Sequence, residues 1–273
     1  MSGKDRQLER FDDNTIREAL KTKWVGETIH FSQETDSTNL RIRALAAEGC
    51  REGALAVAEL QTAGRGRLGR SWTAPAGTSI AMSLLLRPAF APERASMLTL
   101  VMGLSVAEAC RHMGLEVSIK WPNDVVIGGK KLCGILTEMQ LCGAAIDHVV
   151  IGTGINVNLT EFPEELRETA TSIQLETGHE ADRNLVLSEV LSVFENNYER
   201  FLETQDLTLL KESYERLLVN RDRIVRVLDP LGAYTGTARG INARGALLVE
   251  REDGTLEEVS SGEVSVRGIY GYV

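Results

Sequence analysis

KWPNDVVIGGKKLCGIL, residues 120–136, is the stretch on which the fold turns. Val125 to Ile127 and Lys131 to Gln140 read as strands, and Gly128-Gly129 between them suits the positive φ angles of a tight hairpin turn. Val117 to Lys120 reads as a strand just before, and His148 to Val157 as another just after. A parallel pair needs a crossover of about a dozen residues or more. Short connections therefore predict neighbouring, largely antiparallel strands rather than a βαβ series. The hairpin also brings Asp124 close to Lys131. Taken alone, that pair fits an ordinary cross-strand salt bridge, which contributes little when exposed.

Upstream, residues 14–23 read as a short helix with Asn14 as N-cap. Thr38 to Ala47 reads as a second helix, stopped by Gly49. Ala54 to Leu60 is an apolar strand that leads into a Gly-Arg loop at 64–70, and Ser79 to Leu86 is another. Pro88 and Pro92 break the chain before a long, largely buried helix from Glu93 to Met113. Downstream, residues 161–183 carry seven acidic side chains against two basic ones without a clean period, and read as a solvated loop. Helices are expected at Leu185 to Glu203 and Leu207 to Leu218. From Asn220 the pattern changes to five short strand-like runs punctuated by glycine, the signature of a small β-barrel. The fold class is α+β, with expected domains at 1–219 (1–25 a short extension) and 220–273.

The 273 residues leave room for one large domain plus a small module. A hydrophobic fraction of 43% and a charged fraction of 25% exclude a disordered, collagen-like or disulfide-dense chain. The net charge of -9 disfavours general binding to nucleic acid. No apolar run reaches the ~20 residues of a membrane span, and the first residues lack a signal-peptide core, so a cytoplasmic protein is expected. Cys50, Cys110, Cys133 and Cys142 form no Cys-x-x-Cys pair, and the four histidines are scattered. Free thiols, no resident metal and no histidine-based triad follow.

Gly64-Arg65-Gly66-Arg67-Leu68-Gly69 matches the dinucleotide fingerprint G-x-G-x-x-G, but Ser71 to Gly77, with its interior Pro75, is a poor start for the helix a nicotinamide oxidoreductase needs there. Three arginines, Arg65, Arg67 and Arg70, suit phosphate or carboxylate instead, as forked and permanently charged donors. Glu34 to Asn39 clusters hydroxyls and an amide just before a helix, and capping accounts for one of them, Asp36 or Ser37. In Gly152-Thr153-Gly154-Ile155-Asn156, glycines interrupt a good strand, a pattern that marks close approach of a ligand or another backbone.

Together TDSTN, GRGRLGRSW, KWPNDV with KLCGIL, and GTGINVN resemble the biotin protein ligases in order and spacing, from about Ile29 to Val273. The resemblance implies a catalytic domain like that of class II aminoacyl-tRNA synthetases and a C-terminal SH3-like domain. It also implies two steps: biotin and MgATP give biotinyl-5'-adenylate and pyrophosphate, then biotin passes to a lysine of a biotin carboxyl carrier protein. Bringing a carboxylate up to a phosphate opposes two anions, at about 4 kcal/mol for unit charges ~4 Å apart at an effective dielectric of ~20. Cations must offset that repulsion.

By motif position the resemblance places Ser37, Thr38, Asn39 and Gln61 at the biotin ureido ring. Arg65, Gly66, Arg67 and Lys131 also fall on the biotin side. It places Arg67, Arg70, Trp72, Asn123, Lys131, Gly152, Gly154, Asn156 and Arg267 at the nucleotide, Trp72 packing on adenine. Lys131 and Arg67 hold the reacting anions, and Asp124 orients or deprotonates the carrier lysine. Biotin and MgATP are substrates, with no permanently bound metal. The oligomeric state stays open between monomer and homodimer. A lipoate-type ligase or acyltransferase shares Lys131-x-x-Gly134, but its relatives carry an Arg-Arg-x-Ser-Gly-Gly-Gly segment that this chain lacks. A biotin-sensing regulator needs a DNA-reading domain, for which the 36 residues before Ser37 leave little room. The monofunctional type is therefore expected, with no DNA and no membrane partner.

Overall fold

The computed structural model describes residues 10–228, 232–260, 265–268 and 273. The predicted hairpin is present: β5 (Asp124–Ile127) and β6 (Lys130–Cys142) pair antiparallel, and Gly128 and Gly129 take φ of 55° and 83°. With β1 (Ile29–Thr35), β2 (Leu55–Gln61), β3 (Ser79–Leu86), β4 (Ser118–Lys120) and β7 (Ala145–Asn156) they form one sheet in the order β1-β2-β3-β7-β6-β5-β4. β1 and β2 are parallel, joined through helix α2 (Thr38–Ala47), while every other neighbouring pair is antiparallel.

Two helical layers cover the sheet. On one face lies α3 (Met97–His112), backed by α5 (Arg183–Thr204), with α1 (Asp13–Ala19) against α5. Every residue of α3 from Met97 to Ala107 is buried, as its nearly continuous apolar sequence requires. On the other face α2 sets Ile42, Leu45 and Ala46 against Ala56, Leu85 and Val150. That helix is only ten residues long and covers part of its face, so the sheet beyond Val150 is left for the site.

Short α4 (Ile173–Thr177) and α6 (Lys211–Leu217) complete the helices. The C-terminal runs form a five-stranded antiparallel sheet of β8 (Ile224–Leu228), β9 (Tyr234–Ile241), β10 (Leu247–Glu250), β11 (Leu256–Val259) and β12 (Ser265–Gly268), in the order β11-β10-β9-β8-β12. It is tied to the larger sheet by the fully buried Trp121, whose Nε1 donates to Gly245 O at 3.0 Å. Among the described residues no helix is long and apolar enough to cross a membrane.

Several expectations need correction. The first helix is capped by Asp12, whose carboxylate accepts from Asn14 and Thr15 N–H groups, so Asn14 lies inside it. The long helix starts at Met97, because Pro92 initiates a separate 3-10 turn over Pro92–Arg94. The last helix is one turn shorter at its start than its apolar pattern suggests. Residues 161–183 are not uniformly solvated: Thr171 and Ser172 are buried, and Ser172 caps α4 by accepting from Leu175 N.

Candidate active site

The floor of the site is a bare patch on the α2 face of the sheet. Gly152 and Gly154 on β7 share that face, and Gly134 on β6 is paired with Gly154. A Cβ on Gly152 would overlap Asn39 Oδ1, and one on Gly154 would overlap the indole of Trp72. A Cβ on Gly134 would stand 2.8 Å from Lys131 Nζ. Each glycine therefore makes room for a particular neighbouring side chain.

Lys131 reaches this patch because of a bulge. Val126 pairs with Lys131 but Val125 pairs with Cys133, so Leu132 is an extra residue in β6. One inserted residue reverses the alternation of a strand, and it puts Lys131, Gly134 and Asp124 on one face. Lys131 Nζ and Asp124 Oδ1 are 2.7 Å apart. The Lys131 backbone is clamped as well, its N–H donating to Thr169 O at 2.7 Å while Thr171 N donates to Lys131 O. Asn156, buried, supports that clamp by donating from Nδ2 to Thr171 O.

The roof is the Gly-Arg loop, pinned at its neck by Trp72 N donating to Gly64 O and Gly66 N to Arg70 O. Arg67 donates from Nη1 to Asn123 Oδ1 at 2.8 Å, and Asn123 Nδ2 donates to Asp124 Oδ1 at 3.0 Å. Arg67, Asn123, Asp124 and Lys131 thus form one chain of contacts holding two cations and one carboxylate. Burial lowers the Arg67 pKa from its ordinary value; Asp124 opposes that effect and Arg70 adds to it. A guanidinium nevertheless stays charged. The loop finds a counter-charge outside itself: Arg65 Nη1 lies 3.3 Å from Glu138 Oε1.

At the far end of the cavity the lining includes the uncharged polar side chains of Ser37, Asn39 and Gln61. Gln61 Oε1 accepts from Thr38 N and Thr38 Oγ1 at 2.8 and 3.0 Å. Buried Ser83 donates from Oγ to Asn39 Oδ1 at 2.6 Å and lies 2.8 Å from Thr38 Oγ1. Ser37 is the N-cap residue of α2, yet its hydroxyl makes no capping bond, and Asp36 instead accepts from Ser37 N.

Of the residues expected at the site, Ser37, Asn39, Gln61, Arg65, Gly66 and Arg67 line the cavity, and so do Trp72, Asn123, Lys131, Gly152 and Gly154. Thr38, Asp124 and Asn156 act from behind the lining. Arg70 is exposed on the outer side of the loop and does not line the cavity. Arg267 lies in β12 opposite Arg226, with its side chain outside the described residues. Sequence reasoning missed Ser83 and Glu138, which carry no motif and meet the site only through the pairing of β3, β7 and β6. Trp72 lies against Gly134 and Gly154 and occupies part of the cavity, so a ligand that takes the same space must displace the indole.

A glycine floor, a Gly-Arg roof and a lysine-aspartate pair make a site suited to an anionic ligand. Residues 31–156 match the Biotin/lipoate A/B protein ligase family, and residues 222–267 match the Biotin protein ligase C terminal domain. The Biotin--[acetyl-CoA-carboxylase] ligase of Mycobacterium tuberculosis is 35% identical over 274 residues, covering 97% of this chain and 98% of that protein. The Bifunctional ligase/repressor BirA of Bacillus subtilis is 35% identical over 260 residues, 94% of this chain and 79% of that protein. The solved Biotin protein ligase from Aquifex aeolicus in complex with biotin and ATP superposes with a TM-score of 0.78 at 35% identity, covering 89% of this chain and 99% of that one. The chain belongs to the biotin protein ligase family.

Proposed function

We propose that this protein joins biotin to ATP as biotinyl-5'-adenylate and then transfers biotin to a lysine of a biotin carboxyl carrier protein. The observation that carries the reading is the linked set Arg67, Asn123, Asp124 and Lys131 at one end of a glycine-floored cavity whose other end presents the uncharged Ser37, Asn39 and Gln61. A biotin-like molecule has that polarity, with a ureido ring at one end and a carboxylate at the other.

In the first step a carboxylate oxygen attacks the α-phosphorus, the bond to the β-phosphate oxygen breaks, and pyrophosphate leaves. Lys131 and Arg67 stabilise the converging anions, acting where charge develops and water is excluded. Magnesium enters with the triphosphate as part of the substrate; among the described residues no group of three His, Cys, Asp or Glu side chains is gathered for an ion of its own. In the second step the neutral carrier amine attacks the carbonyl carbon and AMP leaves with the bonding pair. Asp124 orients that amine and takes up its proton. Ser37, Thr38, Asn39 and Gln61 serve the ureido ring; Trp72, Asn156 and Arg267 serve the nucleotide side.

The same proposal assigns 1–219 to catalysis and 220–273 to a supporting C-terminal unit, and places the protein in the cytoplasm. The net charge of -9 argues against DNA as a partner. Incubation with biotin, ATP and Mg²⁺ should yield a biotinyl-adenylate by mass spectrometry, with stoichiometric pyrophosphate. Addition of a carrier domain should consume the adenylate. No adenylate at saturating substrates would refute the reading.

A further inference from the structure

The mechanism above gives no part to Glu138, although this carboxylate joins two pieces of the site that must cooperate. Glu138 stands on β6 on the same face as Gly134 and Leu136. Its Oε2 accepts from Asn39 Nδ2 at 2.7 Å, and its Oε1 lies 3.3 Å from Arg65 Nη1 and 3.8 Å from Arg43 Nη1. Asn39 Nδ2 is also 3.4 Å from Leu136 O, and Asn39 Oδ1 accepts from Ser83. Both amide hydrogens of Asn39 are thereby directed into the protein. What Asn39 retains for a ligand in the cavity is an acceptor lone pair, the partner required by an N–H group such as that of a ureido ring. Rotation of the amide by a half turn would set its NH₂ against the Ser83 oxygen and its oxygen against the Glu138 carboxylate, so the charge on Glu138 selects one orientation.

We propose that Glu138 is a positioning residue that locks Asn39 as an acceptor for biotin and couples this lock, through Arg65, to closure of the Gly-Arg loop. This inference rests on the ligase reading. Two groups on Glu138 divide the work: Oε2 serves recognition of the ring, and Oε1 serves the loop. The Arg65 side chain is 45% exposed, so its ion pair is weak and can break and reform as the loop moves.

The test compares Glu138→Ala, Glu138→Gln, Arg65→Ala and the Arg65→Ala/Glu138→Gln double variant in the full chain. Pyrophosphate release gives kcat and the KM for biotin, and dissociation of preformed biotinyl-5'-adenylate reports the loop. Loss of the charge-assisted bond in Glu138→Ala should raise the KM for biotin roughly tenfold, with the loss falling on KM more than on kcat. Glu138→Gln can still accept from Asn39, and its KM should stay within about twofold while adenylate dissociates several times faster, as in Arg65→Ala. The double variant should be no worse than either single one. Thermal unfolding identifies a folding defect, and if Glu138→Ala has one, Glu138→Gln and Arg65→Ala carry the test. An unchanged KM in a folded Glu138→Ala, or additive effects of Arg65→Ala and Glu138→Gln, would overturn the inference while leaving an active wild type. A wild type that forms no adenylate would remove the ligase reading and this inference with it.

Discussion

Lys131 Nζ lies 2.7 Å from Asp124 Oδ1, yet the two residues are not cross-strand partners: Lys131 pairs with Val126 and Asp124 with Gly134. The side chain of Lys131 runs back along β5 past the bulge at Leu132 and over the bare backbone of Gly134. The pair is largely buried, with side-chain exposures of 25% and 10%. Ligand anions arriving in the cavity compete with Asp124 for the ammonium, so the carboxylate is a placeholder for negative charge until substrate enters.

Lys131→Ala should therefore block adenylate formation itself. Loss of a preorganised charge at the reacting centre costs about 10²–10³ in rate, and pyrophosphate release measures it directly. Release at the wild-type rate would remove Lys131 from the chemistry.

Asp124→Asn keeps the shape of the side chain but removes its charge and its basicity. The expected loss falls on the second step. In single turnovers started from preformed adenylate, transfer to the carrier should slow by roughly 10²-fold or more, the usual contribution of a general base, with adenylate formation reduced less. Equal losses in both steps would show that Asp124 only holds Lys131.

Arg67→Ala breaks the bond to Asn123 and removes one of the two cations in the chain that links Arg67, Asn123, Asp124 and Lys131. Biotinyl-5'-adenylate should dissociate at least tenfold faster, since hydrogen bonds to charged groups contribute about 1.5–3 kcal/mol. Undiminished affinity for the adenylate would contradict the assignment.

How far this site was legible in the sequence can be argued from the same residues. The hairpin at Gly128-Gly129 and the proximity of Asp124 to Lys131 follow from local turn chemistry and strand period. The bulge at Leu132 does not, because it depends on which carbonyl of β6 each residue of β5 meets. Glu138 and Ser83 are invisible for a similar reason: they come from strands separated by about fifty residues and meet only through β7. Arg70 reads the same as Arg67 in the sequence, but Leu68 at φ 57° and Gly69 at φ 73° turn the loop so that one arginine faces inward and the other outward. Among the helices, boundaries failed where a side chain outside the apolar pattern decided them, as with Asp12 and Pro92.

Gly152→Ala tests the floor. The added methyl would overlap Asn39 Oδ1, which accepts from Ser83 while the Nδ2 of the same amide donates to Glu138, so neither the strand nor the amide can yield cheaply. Overpacking of this kind costs about 1–3 kcal/mol, seen as a lower midpoint in urea together with a raised KM for biotin. Gly49→Ala provides the contrast: its φ of 89° strains the backbone, but nothing stands within 4 Å of the new methyl. It should lose stability without affecting biotin.

The cysteines offer a check on the packing of the strands that carry the site. Burial pushes the Cys110 thiol up to about 12 and raises Cys133 well above its ordinary value, while Cys50 is half-buried and Cys142 exposed at the end of β6. Alkylation proceeds through the thiolate, so in the native protein at pH 8 iodoacetamide should modify Cys142 first and Cys50 next. Cys110 and Cys133 should react only as the fold opens, and all four together in denaturant. Cys133 lies two residues from Lys131 and faces the core beneath the hairpin, so its labelling reports opening of the strand that carries the site. Saturating biotin with ATP and Mg²⁺ should slow that labelling further, because a ligand that binds only the folded form stabilises it by mass action. Rapid modification of Cys133 in the native chain, as fast as that of Cys142, would mean that β5 and β6 do not pack over α3 as described.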